Sequence, residues 1–246
     1  MFKAKPPGTG EFCEICFWED VPIEWRYVNK ADYLGHLHFA QRNFAEFGAC
    51  LAMYKGDVRK PSSADLRAEN WKTIDEAFVD PERFALIDEI GMAFCDVERG
   101  DGVTLHEADV IDGYGTEKMR KAARLLDKES SWKGVPARDI QRYSWVLSFM
   151  DAKGFRYYVP AYMTWSLKSG LDSDSCQHAG FSIDQMYPDK RAAFSPRELQ
   201  AMVRFLFFVN CFVQFRFDAD QCAKKLKTRW AEFCDEEMIA RFRIPF

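Results

Sequence analysis

The spacing of hydrophobic residues predicts helices along most of the chain. The segment 80–83 starts with Asp followed by Pro and Glu, which is typical of a helix N-terminus. The apolar residues that follow, Phe84, Ile87, Ile90 and Phe94, recur every three to four positions. This pattern predicts an amphipathic helix with one buried face.

Two further helices are predicted by reciprocal capping at their N-termini. Thr104 and Glu107 have the spacing of a capping box, in which each side chain bonds to the backbone N–H of the other residue. Ser195 and Glu198 repeat that spacing. The segment 202–215 that follows is apolar on nearly every face, which predicts the central buried helix.

The middle of the chain has a different pattern. Segments 145–149 and 155–159 are rich in aromatic and β-branched residues, and they flank a turn that ends in Gly154. This predicts a β-hairpin over about residues 144–159, with Pro160 beginning the next helix. The segment Lys168–Arg191 is polar and irregular, which predicts a long loop.

The predicted organisation has three parts. Residues 1–55 form a small cysteine-containing N-terminal unit with one helix that ends at Gly48. Residues 56–74, rich in Gly, Pro and Ser, form a linker, and residues 75–246 form a larger helical domain that contains the hairpin. The predicted fold class is therefore mainly α with a small β-hairpin.

Composition and charge limit the classes of function. Hydrophobic residues make up 48% of the 246 and aromatic residues 15%, enough to fill a sizeable core. The longest apolar run, Phe205–Val209, is too short to span a bilayer, and residues 1–8 lack the apolar segment of a signal peptide. We therefore expect a cytoplasmic protein with no membrane contact. The net charge of −4 argues against direct nucleic-acid binding and is compatible with a basic protein partner.

Cys13 and Cys16 have the spacing of half a zinc site. Structural zinc takes four ligands, and the chain contains no second C-x2-C pair. His36 and His38 are candidate replacements for the missing ligands, and the alternative is that both lie on a helix surface. We expect no cofactor unless zinc completes this site. The other six cysteines are scattered singly, which is typical of reduced, buried thiols.

The context of this cysteine pair resembles a known family. The strings FCEICFWED at 12–20 and AQRNFAEFGAC at 40–50 are similar to the bacterial cysteine-rich CPCC family over roughly the first 50 residues. That resemblance implies a metal site completed by an upstream C-P-C-C cluster, which this sequence does not contain. A start codon placed too far downstream would account for the missing half.

The larger part of the chain carries a second resemblance. The strings GDGVTLHEA at 100–108 and LSFMDAKGFRYYVPAYM at 147–163 are similar to an uncharacterised bacterial domain family over about residues 78–234. Domains of this kind resemble parts of immunity proteins from bacterial toxin systems. The resemblance implies a cytoplasmic protein that binds a toxin and has no assigned catalytic residues.

Two groups of side chains are candidates for catalysis. His106 and Glu107, with Asp109 and Asp112, form an acidic cluster near a histidine, which acid–base chemistry would require in a cleft. Glu107, however, already has a structural role as the capping-box acid. Cys176 and His178 lack a third group to orient the base. We therefore expect a protein that is not an enzyme.

The candidate partner surface lies in the predicted loop 168–191. Aromatic anchors within a polar rim are what a protein-binding surface requires, and acidic groups steer a basic partner. The candidate residues are Asp172, Asp174, Phe181, Asp184, Met186 and Tyr187, with Glu19 and Asp20 of the N-terminal unit. We expect a non-catalytic immunity protein that neutralises a cognate toxin such as a basic nuclease. The alternatives are a metal-binding regulatory protein and an enzyme that uses the His106/Glu107 cluster.

Overall fold

The computed structural model describes residues 10–19, 37–65, 69–73, 75–212 and 229–233. Its contacts divide the chain into two compact units, with the boundary between Glu82 and Arg83. The described residues are mainly helical, as expected, and they contain no β-strand beyond one isolated antiparallel bridge between Phe12 and Glu19.

The N-terminal unit is built around a tight turn at the cysteine pair. The Cys13 N–H donates to the Trp18 carbonyl at 2.8 Å, and the Phe17 N–H donates to the Cys13 carbonyl at 2.7 Å. Helix α1, Leu37–Phe47, ends at Gly48, whose φ of 85° confirms the predicted glycine terminus.

The core of this unit is small. Trp18, Ala40 and Cys50 are buried together. Five residues that are only partly buried pack against them: Cys13, Cys16, Phe17, Leu51 and Tyr54. A short 3-10 helix at Ala52–Tyr54 brings Tyr54 onto the Phe17 ring, with ring centroids 4.4 Å apart. The two partly exposed cysteines therefore lie at the margin of an aromatic cluster.

Helices α2 to α9 follow the N-terminal unit, with short 3-10 helices at Trp132–Gly134, Val146–Phe149 and Ala231–Phe233. A π-helical turn at Asp75–Val79 leads directly into α2. The helices are α2 Asp80–Ala93, α3 Leu105–Asp112, α4 Glu117–Arg124, α5 Ala137–Arg142, α6 Ala152–Ser169, α7 Asp174–Asp184, α8 Pro188–Arg191 and α9 Pro196–Phe212. Both predicted capping boxes are confirmed, because Thr104 pairs with Glu107 and Ser195 pairs with Glu198 through reciprocal bonds.

The predicted hairpin at 144–159 is wrong. Its first half is a 3-10 helix, and its second half is the first part of α6, which continues through Pro160. Asp151 caps α6 by accepting N–H bonds from Gly154 at 2.8 Å and from Val103 at 3.0 Å. Gly154 is required because a Cβ there would lie 2.2 Å from the Val103 carbonyl oxygen. The glycine thus permits a close backbone approach and does not form a hairpin turn.

The predicted loop Lys168–Arg191 is also wrong, because it contains α7 and α8. The Ser173 side chain caps α7 by accepting the Cys176 N–H at 3.2 Å. Cys176, Ala179 and Ile183 then form a fully buried inner face. Polar residues on the opposite face gave this amphipathic helix the composition of a loop.

The core of the second unit centres on α6 and α9. Buried residues occur on nearly every face of α6, including Tyr157, Tyr158 and Tyr162. On α9, seven residues between Ala201 and Val209 are buried, as predicted for an apolar helix. Within the described residues, no helix has the length and apolar character needed to cross a membrane.

Candidate functional site

The outer face of α7 carries part of the predicted partner surface. Asp174, His178, Phe181 and Gln185 recur at helical spacing on the side opposite the buried residues. Asp174 and Gln185 are exposed, and the Phe181 side chain is 45% exposed. Asp172 is also exposed, just before the helix.

Two hydrogen bonds between side chains connect the segment around Trp145 and Phe149 to α7 and to α3. The Ser148 and Ser182 hydroxyl oxygens lie 3.1 Å apart, next in sequence to Phe149 and Phe181. The Trp145 indole N–H donates to an Asp112 carboxylate oxygen at 2.8 Å. Tyr114, two residues beyond Asp112, is 97% exposed. We call the exposed residues Tyr114, Trp145, Phe149 and Phe181 the aromatic surface.

Other residues of the predicted partner surface lie elsewhere. Asp184 is buried and accepts a bond from the Gln185 amide at 2.7 Å. Met186 is buried, and its carbonyl accepts a bond from Arg229. Tyr187 is exposed, Glu19 is partly buried at the β-bridge of the N-terminal unit, and Asp20 lies outside the described residues. Met186 is thus a core residue, and the two aromatic candidates Phe181 and Tyr187 are exposed.

Sequence reasoning did not assign Tyr114, Trp145 or Phe149 to a surface. Trp145 and Phe149 were placed inside a strand of the predicted hairpin, where alternate residues would be buried. In the 3-10 helix, Val146 and Leu147 are buried instead, and the residues on either side are exposed. A local sequence pattern does not show which of these residues are exposed unless the secondary structure is already known.

The His106/Glu107 cluster is dispersed among structural partners. Glu107 completes its capping box and also accepts bonds from Arg120 and Arg124, each at 2.9 Å. The His106 ring nitrogen Nδ1 lies 2.7 Å from an oxygen of Asp127, whose other oxygen accepts the His106 backbone N–H. Asp112 accepts the bond from Trp145. His106 is therefore oriented by Asp127.

A buried polar network lies next to this pair. Arg99 donates to a Glu129 carboxylate oxygen at 2.8 Å, and the Tyr158 hydroxyl donates to the same oxygen at 2.6 Å. Arg99 also bonds to the Asp127 carbonyl. Burial raises the pKa of Tyr158, and it raises the pKa of Tyr157 to about 12. Both phenols are therefore neutral hydrogen-bonding groups of the core.

Cys176 and His178, the second candidate pair for catalysis, lie on different faces of the amphipathic helix α7. Cys176 is buried beside the Ser166 hydroxyl, and burial raises the pKa of its thiol to about 12. His178 lies on the outer face and is partly buried. A thiol that keeps its proton in an apolar environment is a poor nucleophile.

Cys13 and Cys16 remain close together at the tight turn of the N-terminal unit. Their side chains share a hydrogen bond, and both are partly exposed. Among the described residues, no three His, Cys, Asp or Glu side chains are arranged to hold a metal ion. His36 and the side chain of His38 lie outside the described residues. The two thiols alone do not fit the four-coordinate geometry of zinc.

Comparison with known proteins bears on both parts of the chain. The model of the family described as "Cysteine-rich CPCC" matches residues 1–65, which confirms the resemblance of the N-terminal part. The model described as "Family of unknown function (DUF6714)" matches residues 82–234, more than half of the chain. No curated protein and no solved structure matches the chain. The chain therefore belongs to the family of unknown function DUF6714, with a cysteine-rich CPCC region at its N-terminal end.

Proposed function

We propose that this chain is a non-catalytic immunity protein that binds and neutralises a cognate bacterial toxin, a nuclease with a basic active-site groove. The observation that carries the proposal is the aromatic surface of Tyr114, Trp145, Phe149 and Phe181. Binding energy at protein interfaces is concentrated in a few aromatic anchors.

The residues beneath this surface are buried and hydrogen-bonded. Val146 and Leu147 are fully buried between Trp145 and Phe149, so the 3-10 helix is fixed to the core. The bonds from Trp145 to Asp112 and from Ser148 to Ser182 hold three separate elements in register. A preorganised surface loses little conformational entropy when a partner binds.

Acidic groups accompany the aromatic residues. Asp172 and Asp174 are exposed at the N-terminal end of α7, and Asp112 lies beside Trp145. Carboxylates at the rim of an interface accelerate association with a cationic partner and favour it over neutral ones. The cationic substrate groove of a nuclease has the complementary charge.

A specific observation favours a second candidate function, an enzyme with His106 as acid–base. The short contact with Asp127 fixes the ring through Nδ1 and leaves Nε2 as the nitrogen that could exchange a proton. The substitution His106→Gln would abolish such an activity and leave toxin binding unchanged. The two functions are therefore separable in one variant.

A binding assay tests the immunity proposal directly. A set of purified, catalytically inactivated nuclease toxin domains with basic grooves is titrated with the full-length chain by calorimetry, and nuclease inhibition is then measured with the active form of any binder. We expect a one-to-one complex with one member. The double variant Trp145→Ala/Phe181→Ala should weaken it at least about 100-fold, because hot-spot aromatics each contribute about 2 kcal/mol or more.

The matched control is Phe84→Ala on α2, because Phe84 is also exposed, at 57%. Its affinity should equal that of the wild type. For the acidic rim, Asp172→Asn/Asp174→Asn should reduce the association rate and its dependence on salt, and the exposed pair Asp88→Asn/Asp96→Asn should not. Equal losses from Phe84→Ala and from the double variant, or no complex with any nuclease domain, would contradict the proposal.

A further inference from the structure

The N-terminal unit holds two hydrogen-bonded thiols, Cys13 and Cys16, in a partly exposed turn. The Cys13–Cys16 turn is closed by the two backbone bonds between Cys13, Phe17 and Trp18, and Phe17 adopts a left-handed φ of 62°. The Cys50 N–H anchors the same turn by donating to the Cys16 carbonyl at 2.6 Å. The turn is thus constrained on both sides, and its two thiols are hydrogen-bonded to each other.

The two thiols have unequal environments. The backbone N–H groups of Ile15 and Cys16 donate to the Cys13 sulfur, and the Trp18 N–H donates to the Cys16 sulfur. The hydrogen bond from Cys16 is the main cause that lowers the pKa of Cys13, to about 5, and the same bond raises the pKa of Cys16. Cys13 is thus the sulfur that accepts more backbone N–H donors, an arrangement that favours a thiolate at this position.

The third cysteine of the unit differs from this pair. Cys50 is buried with Trp18 and Ala40, and burial raises the pKa of its thiol. Among the described cysteines of the N-terminal unit, Cys13 and Cys16 are therefore partly exposed and Cys50 is buried.

We propose that Cys13 and Cys16 form a redox-active dithiol that exchanges with low-molecular-weight disulfides and closes into an intramolecular disulfide. The Cys13 thiolate attacks one sulfur of the disulfide, so that a mixed disulfide forms and one thiolate leaves. Cys16 then transfers its proton to the thiolate that left and attacks the Cys13 sulfur. The Cys13–Cys16 bond forms and the second thiolate leaves and takes a proton from water, so the external disulfide is reduced to two thiols while the protein dithiol is oxidised.

Glutathione is the probe that tests this inference. The full-length chain is equilibrated in buffers of stepped ratios of reduced to oxidised glutathione, quenched with acid, alkylated, and cleaved after Glu14 to separate the two cysteines. We expect a reversible Cys13–Cys16 disulfide whose fraction follows the ratio. Cys16→Ser should trap a mixed disulfide of glutathione on Cys13. Cys13→Ser should abolish the intramolecular disulfide and leave Cys16 to form a mixed disulfide with glutathione only.

The matched control is Cys95→Ser, which removes an exposed, single cysteine of the second unit and should leave the exchange unchanged. Three results would overturn the inference. The pair could stay reduced at every ratio, Cys50 could replace either member in the disulfide, or the purified chain could carry stoichiometric zinc that protects both thiols until a chelator is added. Stoichiometric zinc in the purified chain would instead support the alternative of a metal-binding regulatory protein.

Discussion

The two units of this chain are stabilised in different ways. The N-terminal unit has three buried residues at its centre, Trp18, Ala40 and Cys50, and its turn is held largely by backbone hydrogen bonds. The second unit buries most of α6 and α9 and pairs its charges internally. A small unit has little apolar area to bury, so each buried side chain carries a larger share of its stability.

This difference also separates the candidate chemistries. In the second unit, carboxylates such as Glu107 and Asp127 are bound by arginine or by backbone N–H groups of the same unit. In the N-terminal unit, the pair Cys13 and Cys16 remains at the margin of the core, where solvent reaches it. The proposed redox pair thus lies where packing is least complete, and the proposed partner surface lies on the well-packed unit.

Removal of Trp18 should have the largest effect. Trp18→Ala deletes the one large buried side chain in the cluster, at a cost of about 3–5 kcal/mol, which is comparable to the whole stability of a small unit. We expect residues 10–65 to become susceptible to protease and to exchange their amide hydrogens, while residues 105–209 stay protected. Trp71→Ala, at a 38% exposed position, is the control. Retained protection of residues 10–65 would contradict the proposed difference in stability between the two units.

Gly154→Ala should have the second-largest effect on stability, because the added Cβ would clash with the backbone of Val103. We expect a loss of about 3 kcal/mol in the free energy of unfolding, the upper end of typical overpacking, since a carbonyl oxygen cannot move aside as a side chain can. Gly180→Ala in α7 meets no atom within 4 Å and should raise stability by about 0.5–1 kcal/mol. Urea unfolding gives both values, and the same sign for both variants would contradict this account.

Neutralisation of Glu107 should cost about 2 kcal/mol. Glu107→Gln keeps a capping-box acceptor but leaves Arg120 and Arg124 without their buried anion. The cost should be below the ~3–5 kcal/mol of a fully buried pair, because the two arginine side chains are 34% and 32% exposed. Glu117→Gln removes an exposed partner of Arg120 and should cost less than about 0.5 kcal/mol. Urea midpoints of both variants measure the difference.

The pH dependence of stability should have opposite directions for Cys176 of the second unit and Cys13 of the N-terminal unit. The pKa of Cys176 is raised to about 12, so its contribution is complete below the ordinary thiol value of about 9 and is lost as pH rises toward 12. The pKa of Cys13 is lowered to about 5, so its contribution is present above about 9 and is lost as pH falls toward 5.

Urea midpoints measured across that range test both directions. Cys176→Ala should flatten the alkaline side of the profile, and Cys13→Ser should flatten the acidic side. An unchanged alkaline slope in Cys176→Ala would show that the buried thiol does not contribute to it.

Local signals in the sequence were sufficient for some elements and misleading for others. The capping boxes at Thr104 and Ser195 were predictable because both partners lie within three residues of each other. The hairpin prediction failed because aromatic and β-branched residues at 145–159 fit either a strand or a fully buried helix. The decisive contact, between Gly154 and Val103, joins residues distant in sequence.

The sequence by itself determined the capped N-termini of α3 and α9, the glycine end of α1 and the spacing of Cys13 and Cys16, because these depend on short-range bonding. The predicted buried face of α2 was wrong at Phe84, which is 57% exposed. Only the tertiary structure decided which polar groups meet. Asp112 reaches Trp145 across 33 residues, and Asp127 reaches His106 across 21. Such pairs depend on how the helices pack, and packing energy is shared among many residues, so no local pattern encodes them.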